Sequence, residues 1–182
     1  SPMAKKSNRN TRGRIVSAAW KLFYEQGYED TTVEEIIELS GTSKGSFYHY
    51  FDGKDALLST LSSLFDEKYE ELTGLLTPEM TAMEQLLFLN RELFHMIEDS
   101  ISLDLLARLY STQLTTNGEK HLLDHNRIYY KLLRKIIAKG QAEGQLSSRS
   151  NVNEMVKLYA LCERALLYDW CLCAGEYALT EY

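Results

Sequence analysis

Apolar residues recur along this chain with the spacing of helices. Ile15, Ala18, Ala19, Leu22 and Phe23 fall at i, i+3, i+4, i+7 and i+8, a stripe broad enough to face a core. They predict a helix over 9–26, stopped by Gly27. Val33, Ile36 and Ile37 repeat the spacing, and Thr32 with Glu35 three residues later forms a capping-box pattern at the start of that run. Ser40-Gly41-Thr42 interrupts it, and either Thr42 or Ser43 can cap a second short helix. In that helix Phe47, Tyr50 and Phe51 share one face. Lys44 and Tyr48 share another, with Ser43, Gly45, Ser46 and His49 beside them. The stretch 31–54 is therefore two short helices joined by a tight turn, with one polar face left outward.

The same periodicity continues to the end. Asp52 is the expected N-cap of a helix carrying Leu57, Leu58, Leu61, Leu64, Phe65 and Tyr69, read as one continuous lever from Lys54. Pro78 marks a break at 75–81. Beyond it lie helices over 79–99 (Met83, Leu86, Leu87, Phe94, Ile97) and 102–116, the latter ended by Asn117-Gly118. Another runs over 119–143, with Leu122, Leu123, Ile128, Tyr129, Leu132, Leu133, Ile136 and Ile137 apolar, and Gly144 stops it. The last runs over 151–175, with Val152, Met155, Val156, Tyr159, Leu166, Leu167 and Trp170. No sustained alternation of apolar and polar residues marks a strand. The predicted class is all-α.

Charge changes this picture by its distribution. The 182 residues carry a net charge of −6, which taken alone argues against nucleic acid. Residues 1–14 nevertheless hold Lys5, Lys6, Arg9, Arg12 and Arg14 and no acid. Basic and acidic side chains balance over residues 1–60, so the whole excess of acid lies beyond. A basic arm next to the helix pair and an acidic remainder fit a protein whose body faces away from a polyanion; a merely solvated tail is the alternative. Ser1-Pro2 ahead of Met3 is read as a cloning scar. The cysteines Cys162, Cys171 and Cys173 are odd in number and lack secreted-type or metal spacing. They read as small apolar packers in a reducing cytoplasm. No run of about 18 apolar residues predicts a membrane span.

The polar face of the second short helix offers a cation, hydroxyls, an imidazole and a phenol, groups suited to phosphate oxygens and base edges. An ordinary helical hairpin is the alternative reading of those residues. The stretch closely resembles the DNA-binding domain of TetR-family transcriptional regulators. The resemblance rests on Phe23 and Gly27, Thr31-Thr32, Ile36-Ile37, Gly41-Thr42-Ser43-Lys44-Gly45, the aromatic run Phe47 to Phe51 and Lys54. It implies an N-terminal three-helix helix-turn-helix domain at 9–53, preceded by a flexible basic tail at 1–8. It implies as well a helical effector-binding and dimerisation domain at 54–182. It further implies that Thr31, Thr32, Thr42, Ser43, Lys44, Gly45, Ser46, Tyr48, His49 and Lys54 form the DNA-binding set. Lys44 and Lys54 would hold phosphates, Thr32 and Tyr48 would add neutral phosphate contacts, and Ser46 and His49 would reach bases.

For the body the resemblance implies a cavity for a small effector of unspecified identity, and a homodimer on a double-stranded palindromic operator. Pocket candidates are Phe94, Met96, Tyr110, Tyr130, Tyr159 and Trp170; large residues at helical spacing are equally what a core requires. Gly140 to Leu146 resembles the Gly-x-x-x-Gly-x-Leu turn of such chains. The chain stops at Tyr182, where the final dimerisation helix of the family would begin. Either the C-terminus is truncated there or Tyr177–Tyr182 starts that helix. His121 and His125 stand at i, i+4, but no third ligand accompanies them, so neither a metal nor a cofactor is expected. No nucleophile, base and orienting group come together in the sequence, so an enzyme is not expected. The expected function is a cytoplasmic transcriptional repressor released from its operator by the effector. The alternative is a helical small-molecule or protein-binding module that does not read DNA specifically.

Overall fold

A computed structural model describes residues 2–115, 123–124 and 127–181, with side chains from residue 10 onward. Every regular element among them is helical. The order is α1 (Pro2–Gln26), α2 (Val33–Ser40), α3 (Lys44–Tyr50), α4 (Lys54–Leu58), α5 (Leu61–Thr73), α6 (Ala82–Ser100), α7 (Leu103–Thr115), α8 (Ile128–Ala142) and α9 (Val152–Leu172). A 3₁₀ turn over Leu179–Glu181 comes last. The described residues form two compact units. The first runs to Leu61 and includes Asp104–Thr115; the second comprises Ser62–Leu103 and the residues from 123 onward.

In the first unit α1 packs on α2 and α3. Ile15, Ala19, Phe23, Ile36, Phe47 and Leu57 are almost wholly removed from water, and each large side chain so buried contributes about 1.5–3 kcal/mol. Gly27 (φ 88°) and Gly41 (φ 63°) end α1 and α2 in left-handed conformations that a Cβ would oppose. The unit takes in α4 and nearly all of α7, which the sequence reading assigned to the body beyond Lys54. The reason is packing: Leu57 and Leu58 are buried, and Arg108 of α7 pairs with Glu29 at 2.6 Å.

The expected single helix from Lys54 is broken. Thr60 Oγ1 donates to the Leu57 carbonyl at 2.6 Å and Ser59 Oγ to that of Ala56 at 2.8 Å. Hydroxyls that bond nearby backbone carbonyls compete with the helical ladder, and α4 gives way to α5 at this point. Trp20 donates its indole N–H to Thr60 Oγ1 at 2.8 Å inside the first unit.

In the second unit α8 packs against both α6 and α9, and the 3₁₀ turn lies on α6 and α9. Leu89, Leu93, Phe94, Ile97, Tyr130, Leu133, Ile137, Val156 and Ala160 form its core. The predicted helix over 119–143 begins in the structure at Ile128. Arg127 before it has extended backbone, and its guanidinium is held by Asp66 at 3.1 Å. Residues 117–122, 125 and 126, with the His121/His125 pair, lie outside the described residues. On α6 the buried stripe runs through Leu86, Leu89, Leu93, Phe94 and Ile97, which leaves Met83 and Leu87, expected in the core, exposed. Cys162 is exposed rather than packed, and Cys171 and Cys173 are half-buried. Tyr177 onward forms only the short turn: Trp170 Nε1 donates to the Tyr177 carbonyl at 2.9 Å, and Leu179 is fully buried.

The Gly140–Leu146 turn draws α8 against the start of α6. The Gly140 carbonyl accepts from Gln145 N at 2.8 Å and Leu146 N at 3.0 Å. A Cβ at residue 140 would lie 2.6 Å from Ala82 Cβ and 2.8 Å from Leu146 Cδ1. Gly140→Ala is therefore expected to cost about 1–3 kcal/mol by overpacking, read from the urea unfolding midpoint. A loss below about 0.5 kcal/mol would mean that the helices part freely here.

Candidate functional site

The turn between α2 and α3 decides what the first unit presents. Thr32 caps α2: Glu35 N donates to its Oγ1 at 3.2 Å, and the Glu35 carboxylate accepts in return from Thr32 N at 3.3 Å. Gln26 also donates to that carboxylate. The Gln26 bond first, and the Thr32 hydroxyl next, hold its pKa below the usual range. Gly41 ends α2, with Gly41 N bonding the Glu38 carbonyl and Thr42 N that of Ile37. Ser43 then caps α3, accepting from Ser46 N at 3.1 Å, as its short side-chain oxygen suits it to do. With both ends fixed, Phe47 and Phe51 turn inward, while Ser43, Lys44, Gly45, Tyr48 and His49 stand outward. The Arg12 guanidinium lies over the Phe51 ring at 5.3 Å and keeps α1 beside this face.

Other residues of the predicted set have different employment. Thr31 is buried, and its hydroxyl donates to the Gly27 carbonyl at 2.7 Å. It shapes the loop after α1. Thr42 and Ser46 are half-exposed, and the Thr42 hydroxyl is 2.7 Å from that of Ser40. Lys54 Nζ donates to the Tyr28 carbonyl at 2.8 Å and sits 4.4 Å from the Tyr28 ring centroid. Its ammonium is thus already engaged on the α1–α2 loop, unlike that of exposed Lys44. Arg108 approaches the same ring at 5.0 Å, and the Tyr28 hydroxyl donates to Asp55. Tyr28 thereby ties the loop to α4 and α7.

The second unit encloses a polar cluster. Glu163 of α9 is buried. Its carboxylate accepts from Asn90 Nδ2 of α6 at 2.6 Å and from the Tyr129 hydroxyl of α8. Tyr159 of α9 lies close to it, with its hydroxyl donating to the Leu86 carbonyl at 3.0 Å. Tyr69 of α5 packs its ring 5.0 Å from that of Tyr129. Burial, the largest influence, raises the Glu163 pKa against the lowering by its donors. Burial likewise pushes the Tyr69, Tyr129 and Tyr159 phenols up, so they remain protonated donors. Among the described residues no group of acids, histidines and cysteines is arranged to hold a metal ion.

Comparison with known proteins bears on both sites. The model of the family described as bacterial regulatory proteins, tetR family, matches residues 15–61, the stretch containing α2, the turn and α3. An uncharacterized HTH-type transcriptional regulator in the lacX 3′ region of Lactococcus lactis is 39% identical over 56 residues, 30% of this chain and 29% of that one. The HTH-type transcriptional regulator QacR of Staphylococcus aureus is 36% identical over 62 residues, 34% and 33% of the two chains. The crystal structure of Thermus thermophilus FadR, a TetR-family repressor in complex with lauroyl-CoA, aligns over 93% of this chain and 88% of that one, with a TM-score of 0.76 and 25% identity. The helix-turn-helix segment is of the TetR type.

The aligned stretch spans a third or less of the length of those two curated relatives, and it is the helix-turn-helix part. The pocket candidates separate in the structure. Phe94 and Tyr130 are core residues of the second unit, with Arg164 donating to the Tyr130 hydroxyl at 3.0 Å. Met96 is half-buried on α6. Tyr159 belongs to the Glu163 cluster, and Trp170 is committed to the C-terminal turn. Tyr110 lies on α7, in the first unit, because that helix packs with the N-terminal domain. The sequence reading missed Asn90, Tyr129 and Glu163. A signal for Glu163 was present: Val156, Ala160, Glu163, Leu167 and Trp170 are the buried stripe of α9, and an acid at a core phase is the anomaly.

Glu163 also has a stability consequence. Its pKa is raised by folding, so its stabilising contribution is complete below the unfolded value near 4.5 and is lost as pH rises through the folded value. Urea midpoints should fall over that interval in the wild type, and Glu163→Gln should flatten the decline. An identical slope in the variant would contradict the burial of an uncompensated carboxyl.

Proposed function

We propose that this chain is a ligand-responsive transcriptional regulator, a repressor that leaves a palindromic operator when a small molecule binds its second unit. The observation that carries the reading is the outward face of α3, with Lys44, Tyr48 and His49 exposed beside the capping Ser43, inside the segment matched by the family model. Lys44 supplies a phosphate contact, Tyr48 a neutral one, and Ser46 and His49 reach base edges in the major groove. The basic residues near the N-terminus add sequence-independent attraction.

The operator-bound form is a homodimer, which sets two α3 helices into successive major grooves about 34 Å apart. Its support is an unpartnered apolar stripe on α9: Leu158, Leu161, Tyr168 and Leu172 are all more than half exposed. They fall at i, i+3, i+10 and i+14, the spacing of a helix–helix seam. Effector binding shifts the population between DNA-competent and incompetent arrangements, and a few kcal/mol of differential affinity suffices. Lauroyl-CoA is bound by the Thermus thermophilus relative, which supports a small-molecule role for this chain.

Selection from random duplex DNA by the purified protein is expected to yield a palindromic motif; recovery of no motif would sink the DNA reading and favour a binding module without sequence readout. Lys44→Ala should weaken binding to all sequences alike and lower the slope of log K against log salt by about 1. His49→Ala should relax preference at one position of each half-site. Leu161→Glu should give a monomer by sedimentation, and a dimer unaffected by that change would move the interface elsewhere.

A further inference from the structure

The effector reading leaves the chemical class of the ligand open, and the interior of the second unit bears on it. Glu163 is the single acid in that unit's core stripe on α9. A carboxylate so placed is costly unless charge or hydrogen bonds offset it. Here the offset is incomplete. Asn90 and Tyr129 supply neutral donors, which fill two of roughly four acceptor positions of a carboxylate. Among the described residues no cation forms an ion pair with it. Arg164 acts on it only through space and donates to the Tyr130 hydroxyl, while Arg127 pairs with Asp66. Around the acid stand the rings of Tyr129 and Tyr159, with Tyr69 stacked on Tyr129.

A buried acid that forms no ion pair, set among electron-rich rings, matches the two attractions that an organic cation seeks, an opposite charge and aromatic faces. We propose that Glu163 anchors the cationic head of a small organic effector, with Tyr69, Tyr129 and Tyr159 packing around that head and its apolar body. This rests on the reading of the second unit as an effector domain. Five side chains from α5, α6, α8 and α9 converge here, so a ligand at this point bears on the packing of all of these helices together. A fatty-acyl chain is a poor occupant of the same place. Laid against Glu163, it would return neither an opposite charge nor a hydrogen bond.

The acid's proton gives the interaction a further mark. The charged form of Glu163 is disfavoured by burial, so a cation must bind together with loss of that proton. The groups facing Glu163 are Tyr69, Asn90, Tyr129 and Tyr159, with Arg127, Asp66 and Arg164 next to them. The phenols hold their protons, so the pH dependence belongs to the acid.

Equilibrium dialysis of the full chain against benzyltrimethylammonium, its neutral isostere neopentylbenzene, and lauroyl-CoA tests this. The quaternary ammonium has a fixed charge, so any pH dependence comes from the protein. The expected result is at least tenfold tighter binding of the cation than of the isostere, weakening as pH is lowered. Glu163→Gln should lose at least tenfold for the cation, leave the isostere unchanged and abolish the pH dependence. Tyr129→Phe keeps the ring and removes one donor to the carboxylate; it should move the pH midpoint of cation binding upward, and it serves if the first variant folds poorly. Equal binding of cation and isostere, or equal cation binding by wild type and Glu163→Gln, overturns the proposal. Binding of lauroyl-CoA with exclusion of the cation also overturns it and leaves the effector reading intact. If none of the three binds, both readings fall.

Discussion

The four-residue turn from Ser40 to Ser43 is the constraint on which the rest of the N-terminal unit depends. Gly41 in the left-handed region ends α2, and Ser43 caps α3 two residues later. Thr42, the one residue between them, is itself bonded to Ile37 and Ser40, so the rotation of α3 about its own axis is set. That rotation sends Phe47 into a core shared with Phe23 and Ile36, and turns Lys44, Tyr48 and His49 to the surface. A change at either cap would alter which side chains are presented, before any contact with a partner is made.

Around this turn the supporting groups are spent in place. Thr31 bonds Gly27, Lys54 bonds Tyr28, and Arg108 bonds Glu29 and lies over Tyr28. The loop after α1 is thereby held from α4 and α7 at once. The second unit is built on the opposite principle. Its core is largely aliphatic and aromatic, yet it keeps one acid that accepts hydrogen bonds from neutral neighbours and forms no ion pair among the described residues. A well-packed apolar residue is often the more stable choice at such a position, and this is why Glu163 is read as functional.

Much of the fold was legible in the pattern of the chain. The 3.6-residue spacing of Ile15 to Phe23, the Thr32–Glu35 box, and the glycines at 27, 41 and 144 are local signals, and each marks a helix face or boundary in the structure. The outward set on α3 was equally legible, because which residues share a helix face depends only on their spacing. The less legible features were those set by partners distant in sequence. Met83 and Leu87 fit a helical stripe as well as Leu89 and Leu93 do, and only the packing of α6 on α8 chose between them. The break at Ser59-Thr60 is a competition for carbonyls inside an otherwise continuous apolar pattern.

Local sequence therefore determined the helical class, the order of the elements and the outward residues of the helix-turn-helix, since caps and periodicity act within a few residues. Tertiary structure alone decided that α7 and Tyr110 belong with the N-terminal unit and that Lys54 holds a loop. It also decided that Asn90, Tyr129 and Glu163, separated by up to 73 positions, meet in one buried cluster. Those outcomes turn on burial and on hydrogen bonds closed across helices, and no spacing along the chain encodes which distant partner will be reached.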